Sequence, residues 1–190
     1  MPDAPPPADP EQPRRPAGEQ DELLDVLDAA GNVVGAQWRS SVEDAGGSDY
    51  RVVNAFLQRG DGRVWLPIRA MSASRWPGAL DASVAGHVRH GETAEQTLLR
   101  ELGEETGLNA ADVAVTPLGR LAPPIVGVHM DVFHLRLLTA ARPVLNPAEH
   151  SDGLWVRPQY LARRLRDGQP AKDDLKYILH ACWEHLTHAH

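Results

Sequence analysis

Short apolar segments recur along the chain from residue 22 onward, and turns rich in Gly, Asp and Asn separate them. Two of them, YRVVNAFLQR and VWLPIRA, combine β-branched and aromatic residues over the length of a strand. The Gly-Asp-Gly sequence between these two is typical of a hairpin turn. On this basis we predict strands at residues 22–28, 50–59, 64–70, 83–89, 113–121, 128–138 and 154–156.

Apolar residues at helical spacing predict three helices. The first runs from Thr93 to Thr106 and is expected to end at Gly107, because glycine readily adopts the left-handed conformation that ends a helix. The second begins at Pro158 and the third spans residues 173–187. A few helices among many strands predict an α+β fold, arranged as an α/β/α sandwich around a mixed central β-sheet.

The first twenty residues show neither pattern. Seven of the first sixteen are proline, a composition that cannot bury enough apolar surface to offset the entropy lost on ordering. We therefore predict a disordered tail at residues 1–20 and a single domain at residues 21–190.

Composition and charge narrow the classes of function. The chain has 42% apolar and 24% charged residues and a formal net charge of −7, which argues against a nucleic-acid polymer as partner because such binding needs a basic surface. The single cysteine excludes an internal disulfide and a cysteine-based zinc cluster. No apolar stretch reaches the roughly 18 residues that span a membrane, and no secretory signal is present, so the sequence predicts a cytoplasmic protein.

Acidic residues are concentrated on the first predicted helix. Glu101, Glu104 and Glu105 share one face of it. The neighbouring arc carries three leucines that we expect to pack on the core, Leu98, Leu99 and Leu102. Three like charges at this spacing repel one another, and a bound cation is the simplest compensation. Oxygen ligands alone favour Mg²⁺ or Mn²⁺, whereas the alternative is an acidic face exposed to solvent.

The same segment contains a longer pattern: Gly86, five residues, Glu92, seven residues, and then RELGEETGL from Arg100. This pattern resembles the Nudix box, G-x5-E-x7-R-E-U-x-E-E-x-G-U with U an aliphatic residue, at every specified position. The resemblance implies the Nudix fold. It also implies Mg²⁺-dependent cleavage of a diphosphate linkage in a nucleoside diphosphate joined to another group, with Mn²⁺ able to substitute.

The resemblance further implies a set of metal ligands. These are the carboxylates of Glu101, Glu104 and Glu105, together with the backbone carbonyl of Gly86. Arg100 has the role of a positioning residue, since its guanidinium can hold and orient a neighbouring glutamate.

Candidates for the group that accepts the proton of the attacking water lie inside and outside the box. Glu101 and Glu104 are the candidates within it. Some Nudix enzymes use a glutamate from another loop, and here Glu149 is the best-placed residue, with Asp152 behind it. For Glu92, stabilisation of the helix start and a peripheral contact with a metal ion both remain open.

Much of the chain outside the box resembles the Nudix branch that contains isopentenyl-diphosphate isomerase and hydrolase-like relatives. The isomerases have an essential cysteine directly before the Gly-His pair, where this chain has Ala85, and Cys182 lies in the last predicted helix. Of three histidines that hold a second metal in the isomerases, His87 matches one, and Glu43 and Tyr50 occupy the other positions. A hydrolase is therefore favoured, and the alternatives are an isomerase or a non-catalytic nucleotide-binding domain.

Substrate contacts are implied by the same resemblance. Arg69 and Arg75, at the loop MSASRWPG, match the region where basic residues contact the diphosphate, and His87 is a candidate metal or phosphate contact. Trp76 either stacks on a base or serves as a packing anchor. The expected partner is a small-molecule phosphoanhydride, with nucleoside di- or triphosphates as the leading candidates, and both a monomer and a homodimer remain open.

Overall fold

Eight strands, four helices and one 3₁₀ turn occupy the part of the chain that the computed structural model describes, residues 21–44, 49–121 and 128–188. The strands are β1 (Leu23–Leu27), β2 (Val33–Trp38), β3 (Tyr50–Gln58), β4 (Val64–Arg69), β5 (Val84–His87), β6 (Val113–Leu121), β7 (Val128–Leu137) and β8 (His150–Val156). The helices are α1 (Arg39–Asp44), α2 (Ala94–Thr106), α3 (Pro158–Arg166) and α4 (Leu175–His188). The tail predicted at residues 1–20 lies outside the described residues.

The central sheet is mixed, as predicted, and has the strand order β6-β7-β3-β4-β8. Strands β3 and β7 run parallel, and the other pairs are antiparallel. One edge of β3 is shared by two strands, because β4 pairs with it at Gln58 and β5 pairs with it from Val52 to Ala55. The hydroxyl of Ser83 joins the strands where they diverge, accepting from the Leu57 amide and donating to the Trp65 carbonyl.

Apolar residues form a core on each face of this sheet. Helix α2 contributes Leu98 and Leu102 to one core, and α4 contributes Ile178 and Cys182 to the other. The three layers are those of an α/β/α sandwich, which confirms the predicted fold class. The prediction for Leu99 was wrong, since it is 38% exposed. Its position on α2 faces away from the sheet, and burial of Leu98 and Leu102 suffices to anchor the helix.

Two elements have no counterpart among the predicted ones, and a third is longer than expected. Strand β2 pairs with β1 as a separate two-stranded sheet, and the short helix α1 follows it. Because β2 exposes Val33 and Val34 to solvent, it lacks the apolar alternation by which a strand is recognised. Strand β8 begins at His150, before the predicted start at residue 154. In the described part of the chain, no helix is long and apolar enough to cross a membrane.

Candidate active site

Helix α2 is held in register at both ends. The Thr93 hydroxyl accepts from the Gln96 amide, and the Gln96 side chain accepts in return from the Thr93 amide, so both form a capping box. At the other end Gly107 has φ 67°, the left-handed conformation expected from the sequence. These ends orient the helix so that Glu101 and Glu105 are buried against β5 and Glu104 points toward solvent.

Strand β5 approaches α2 so closely that only glycine fits at residue 86. A Cβ atom there would lie 2.0 Å from Oε1 of Glu101, well inside van der Waals contact. One residue earlier, the Ala85 amide donates to Oε2 of Glu105 over 3.1 Å. The backbone of residues 85–86 therefore lies directly beside the two buried carboxylates.

Arg100 connects the acidic residues of the box. Its guanidinium donates to both oxygens of Glu92 at 3.0 Å, to Oε1 of Glu101 at 2.7 Å and to Oε2 of Glu104 at 3.2 Å. It also donates to the carbonyl of His87 at 3.1 Å. In this structure Glu92 orients Arg100, and Arg100 holds Glu101 beside β5 and contacts the more exposed Glu104.

Glu149 comes to the same place from the start of β8. Its Oε1 accepts from Nδ2 of Asn146 over 2.8 Å. One carboxylate oxygen of Glu149, one of Glu105 and one ring nitrogen of His150 lie within 4.8 Å of one another. Asp152, the other acid considered in this segment, is exposed and accepts from the amide of Gly153. Glu149 lies more than forty residues after the box in the sequence, and the fold brings it close to Glu105.

Burial raises the pKa of the carboxyls in this cluster. Desolvation is the largest cause at Glu101, whose pKa rises to about 7 although Arg100 opposes the shift. The pKa of Glu105 lies well above the ordinary value, first because of burial and then because Asp81 and Glu101 are nearby. The pKa of Glu149 is also raised, by burial and then by Glu104, against the bond from Asn146. Carboxylates in this state bind either protons or a cation.

Arg69 is the last residue of β4, and Arg75 lies in the β4–β5 loop. Nη1 of Arg69 donates to Asp81 at 2.9 Å, and its Nε donates to the Arg75 carbonyl at 3.1 Å, so Arg69 fixes the loop. Arg75 is exposed, and its guanidinium stacks on the ring of Trp76 at 4.5 Å from the centroid. Trp76 has φ 49°, a left-handed conformation that is uncommon outside glycine and marks a constrained loop.

His87 is enclosed on β5 beside the basic groups. Burial is the largest cause that lowers its pKa to about 3, and Arg39 and Lys172 lower it further. Its ring packs against Tyr50 with 5.4 Å between centroids, and its Nδ1 lies 3.8 Å from Glu22. His87 is therefore neutral at physiological pH, which suits a hydrogen-bonding or metal-binding role and not a charge that attracts phosphate.

Sequence reasoning missed a buried charged network behind the carboxylates. Asp81 is 3% exposed and lies 3.7 Å from Nζ of Lys172 in addition to its bond with Arg69. Lys172 also lies 3.3 Å from Asp174. These residues are isolated in the sequence and belong to no spacing pattern, so no local signal marked them. His150 is different, because it directly follows Glu149 and a metal-site search around that residue would have found it.

The thiol chemistry of the isomerases has no equivalent at β5 in this chain. Ala85 contributes its backbone amide there, and Cys182 lies fully buried on α4, in the core cluster against which Ala85 packs. Burial raises the pKa of the Cys182 thiol to about 12. Tyr50 stands beside His87, where the isomerase pattern has a second histidine, and the side chain of Glu43 lies outside the described residues.

Known proteins are similar to this chain in sequence and in structure over most of its length. The model of the NUDIX domain matches residues 49–177. A Nudix hydrolase of Deinococcus radiodurans is 36% identical over 168 residues, which cover 87% of this chain and 96% of that protein. A crystal structure of a D. radiodurans protein, at 36% identity, superposes with a TM-score of 0.77 over 85% of this chain and 99% of its own.

Isomerases are also among the relatives. The isopentenyl-diphosphate Δ-isomerase of Agromyces mediolanus is 33% identical over 151 residues, which cover 76% of this chain and 72% of that enzyme. The wider branch predicted from residues outside the box is thereby confirmed. With a family model that spans most of the described residues and relatives aligned over nearly their whole length, the chain belongs to the Nudix hydrolase family.

Proposed function

We propose that this chain hydrolyses the diphosphate linkage of a nucleoside di- or triphosphate, or of a related nucleoside diphosphate derivative, in a reaction that depends on Mg²⁺. The observation that carries the proposal is the approach of Glu149 to Glu105, whose carboxylate accepts from the amide next to Gly86, with Glu101 directly beside Gly86. Three carboxylates with raised pKa values, of which only Glu149 is exposed, are typical of a cation site.

The residues present fit a divalent ion. Glycine at residue 86 leaves the space that the Glu101 carboxylate occupies, and Arg100 contacts Glu101 and Glu104 without reaching Glu105. Charge on Glu105 and Glu149 is thus uncompensated by the arginine. Glu101, Glu105 and Glu149, with the carbonyl of Gly86, would hold the ion. When bound, such an ion lowers the pKa of a coordinated water and offsets the charge on phosphoryl oxygens.

Glu104 is the residue to which we assign proton acceptance. Its side chain is 47% exposed, so water and bulk solvent both reach it. The other three glutamates suit this role less well. Glu101 is bonded to Arg100 at 2.7 Å, Glu105 is buried, and Glu149 has a carboxylate oxygen close to Glu105 and His150, where it is a candidate ligand. The bond from Arg100 to Oε2 of Glu104 fixes the orientation of this carboxylate and leaves its other oxygen to accept the proton.

Arg75 and Arg69 supply the positive side of the site. Among the described residues Arg75 forms a stacking contact with Trp76 and no ion pair, so its guanidinium is available to a diphosphate. Arg69 holds the backbone of Arg75 and thereby positions it. His87, which is neutral, lies next to Gly86 on β5 and is a further candidate for a phosphate or metal contact.

The test is incubation of the purified protein with Mg²⁺ and a panel of nucleoside di- and triphosphates, dinucleoside polyphosphates and nucleotide sugars, with release of phosphate or nucleoside monophosphate as readout. Glu104→Gln should abolish turnover and leave Mn²⁺ binding in place, whereas Glu105→Gln should abolish both. Glu184→Gln, an exposed glutamate on α4, is the matched control and should change neither.

Three results would contradict the proposal. These are a lack of hydrolysis across the panel with Mg²⁺ and with Mn²⁺, full turnover in Glu105→Gln, and loss of Mn²⁺ binding in Glu104→Gln. Nucleotide binding without turnover would instead identify a non-catalytic domain. Conversion of isopentenyl diphosphate to its isomer would establish the isomerase, for which Ala85 leaves no thiol on β5.

A further inference from the structure

His150 lies at an irregularity in the pairing of β4 with β8. Arg69 pairs with His150 and Ile68 pairs with Asp152, so Ser151 is an extra residue on β8. Such bulges redirect the side chains next to them and are frequent beside active sites. Here the bulge turns His150 inward, where it is 3% exposed, while Ser151 and Asp152 both face solvent.

The imidazole of His150 is buried without a hydrogen bond. Its Nδ1 is enclosed and has no partner, and neither ring nitrogen forms a hydrogen bond among the described residues. Leaving a buried polar atom unpaired costs about 1–3 kcal/mol, so a partner from outside the chain is expected. An imidazole nitrogen without a partner inside the chain is a common ligand of divalent metal ions.

The same ring faces two carboxylates. One nitrogen of His150 lies within 4.8 Å of a carboxylate oxygen of Glu105 and of one of Glu149, and those two oxygens are equally close to each other. The centre of a triangle with sides of at most 4.8 Å lies within about 2.8 Å of each corner, and divalent ions bind such ligands at roughly 2.0–2.3 Å. An inward movement of roughly half an ångström to one ångström therefore brings all three atoms to ligand distance of one ion.

We propose that His150 supplies a nitrogen ligand to the divalent ion held by Glu105 and Glu149, an inference that rests on the metal site of the proposed function. The box alone offers only oxygen ligands, which suit Mg²⁺. One imidazole nitrogen shifts preference toward transition metals, with affinity increasing from Mn²⁺ to Co²⁺ and Zn²⁺ relative to Mg²⁺. His150 is in this way a determinant of which metal the enzyme takes.

The first experiment looks for the nitrogen directly. Mn²⁺ is added to the metal-free full-length protein, and electron spin-echo modulation is recorded to detect a directly bound ¹⁴N nucleus. We expect imidazole modulation in the unlabelled protein and its replacement by the ¹⁵N pattern when histidine is ¹⁵N-labelled. Because this measurement uses the unaltered chain, it does not depend on the folding of any variant. Absence of nitrogen modulation on bound Mn²⁺ overturns the inference.

The second experiment assigns the nitrogen to a residue. His150→Gln should lose the modulation and weaken Mn²⁺ binding by roughly tenfold or more while changing Mg²⁺ binding much less. His180→Gln, which removes an exposed histidine on α4, is the matched control and should keep both signals. If the modulation survives His150→Gln and disappears in His87→Gln, the nitrogen belongs to His87 and the inference is wrong.

These results also separate the two proposals. One outcome would refute the role of His150 and keep the metal site. In that outcome Glu105→Gln abolishes Mn²⁺ binding, His150→Gln leaves it unchanged, and the bound Mn²⁺ shows no nitrogen modulation. A protein that binds no Mn²⁺ at all would refute both.

Discussion

At the scale of single residues, the site depends on the space that one missing side chain leaves. The Glu101 carboxylate occupies the position where a Cβ of residue 86 would be, and the Ala85 amide bonds Glu105 beside it. The glycine is needed here for close approach and not for an unusual φ. Any larger residue would have to displace the carboxylate or the strand.

We therefore expect Gly86→Ala to weaken Mn²⁺ binding roughly 10–100-fold, because Glu101 must leave its place. Crowding should also lower the free energy of unfolding by about 1–3 kcal/mol. Calorimetric titration with Mn²⁺ and urea unfolding measure the two effects. Gly35→Ala is the control, since a Cβ there would meet nothing within 4 Å. Unchanged Mn²⁺ affinity in Gly86→Ala would show that Glu101 is not required.

A second prediction at this scale concerns pH. The pKa of Glu101 in the folded protein is about 7, above its ordinary 4.5, so the folded chain binds more protons than the unfolded chain between these values. This contribution to stability is fully present below pH 4.5 and is lost as the pH rises through 7. The free energy of unfolding of the metal-free protein should thus fall across this window, and Glu101→Gln should flatten the fall.

Metal binding should show the opposite dependence. Since an ion displaces the protons of Glu101 and its neighbours, affinity for Mn²⁺ should rise with pH up to about 7, with proton release detectable by titration in buffers of different ionisation enthalpy. Affinity that is independent of pH in this window would mean that Glu101 is ionised throughout.

At the scale of elements, helix α2 positions the glutamates of the box beside β5. Its capping box and its glycine end set the rotation of the helix, and burial of Leu98 and Leu102 fixes its distance from β5. The bulge in β8 acts similarly on the other side, where it turns His150 inward. Both features are local. The first positions Glu101 and Glu105 and the second positions His150, all of which are proposed ligands.

Removal of the cap should therefore weaken the helix without altering the chemistry. Thr93→Ala should lower the free energy of unfolding by about 1 kcal/mol, because the amide at the third helical position loses its acceptor. Thr93→Ser keeps a hydroxyl and should restore most of the difference. The measurement is urea unfolding, together with turnover well below the melting temperature, which should stay close to that of the unaltered chain. Equal stability of the two variants would contradict a role for the cap.

At the scale of the whole molecule, a buried network of charges joins segments that are distant in sequence. Asp81 forms ion pairs with Arg69 of β4 and with Lys172 of the segment before α4. Lys172 forms a second ion pair with Asp174. Burial raises the pKa of Asp81, but Lys172 and Arg69 outweigh it and keep the pKa below the ordinary value. The network fixes the wall behind Glu105 and His150.

Breaking this network should cost more than any surface change. Asp81→Asn leaves Lys172 and Arg69 without their shared carboxylate, and we expect the free energy of unfolding to fall by about 3 kcal/mol. Asp173→Asn, at an exposed neighbour of the same segment, should change it by less than about 0.5 kcal/mol. Thermal and urea unfolding measure both. A loss no larger than that of the control would show that the ion pairs add nothing.

Local sequence determined the first half of this site. The common face of Glu101, Glu104 and Glu105 follows from the geometry of 3.6 residues per turn, and Gly107 marks the end of the helix. Neither prediction needs knowledge of the rest of the fold. The hairpin at Gly60 to Gly62 and the strands with alternating or continuous apolar runs were predictable for the same reason.

Tertiary structure decided the second half, for which the resemblance to the Nudix family had named only Glu149 as a candidate. No periodicity connects Glu149, His150, Asp81 or Lys172 with the box, because their approach results from sheet order, a bulge and the packing of the α3–α4 segment on the β4–β5 loop. Burial within that packing also raised the pKa values of the carboxylates, a change that depends on exclusion of water and is invisible in a residue pattern. The geometry within one helix or hairpin follows from the spacing of residues along the chain. The approach of side chains that are distant in sequence depends on how the whole chain packs and excludes water.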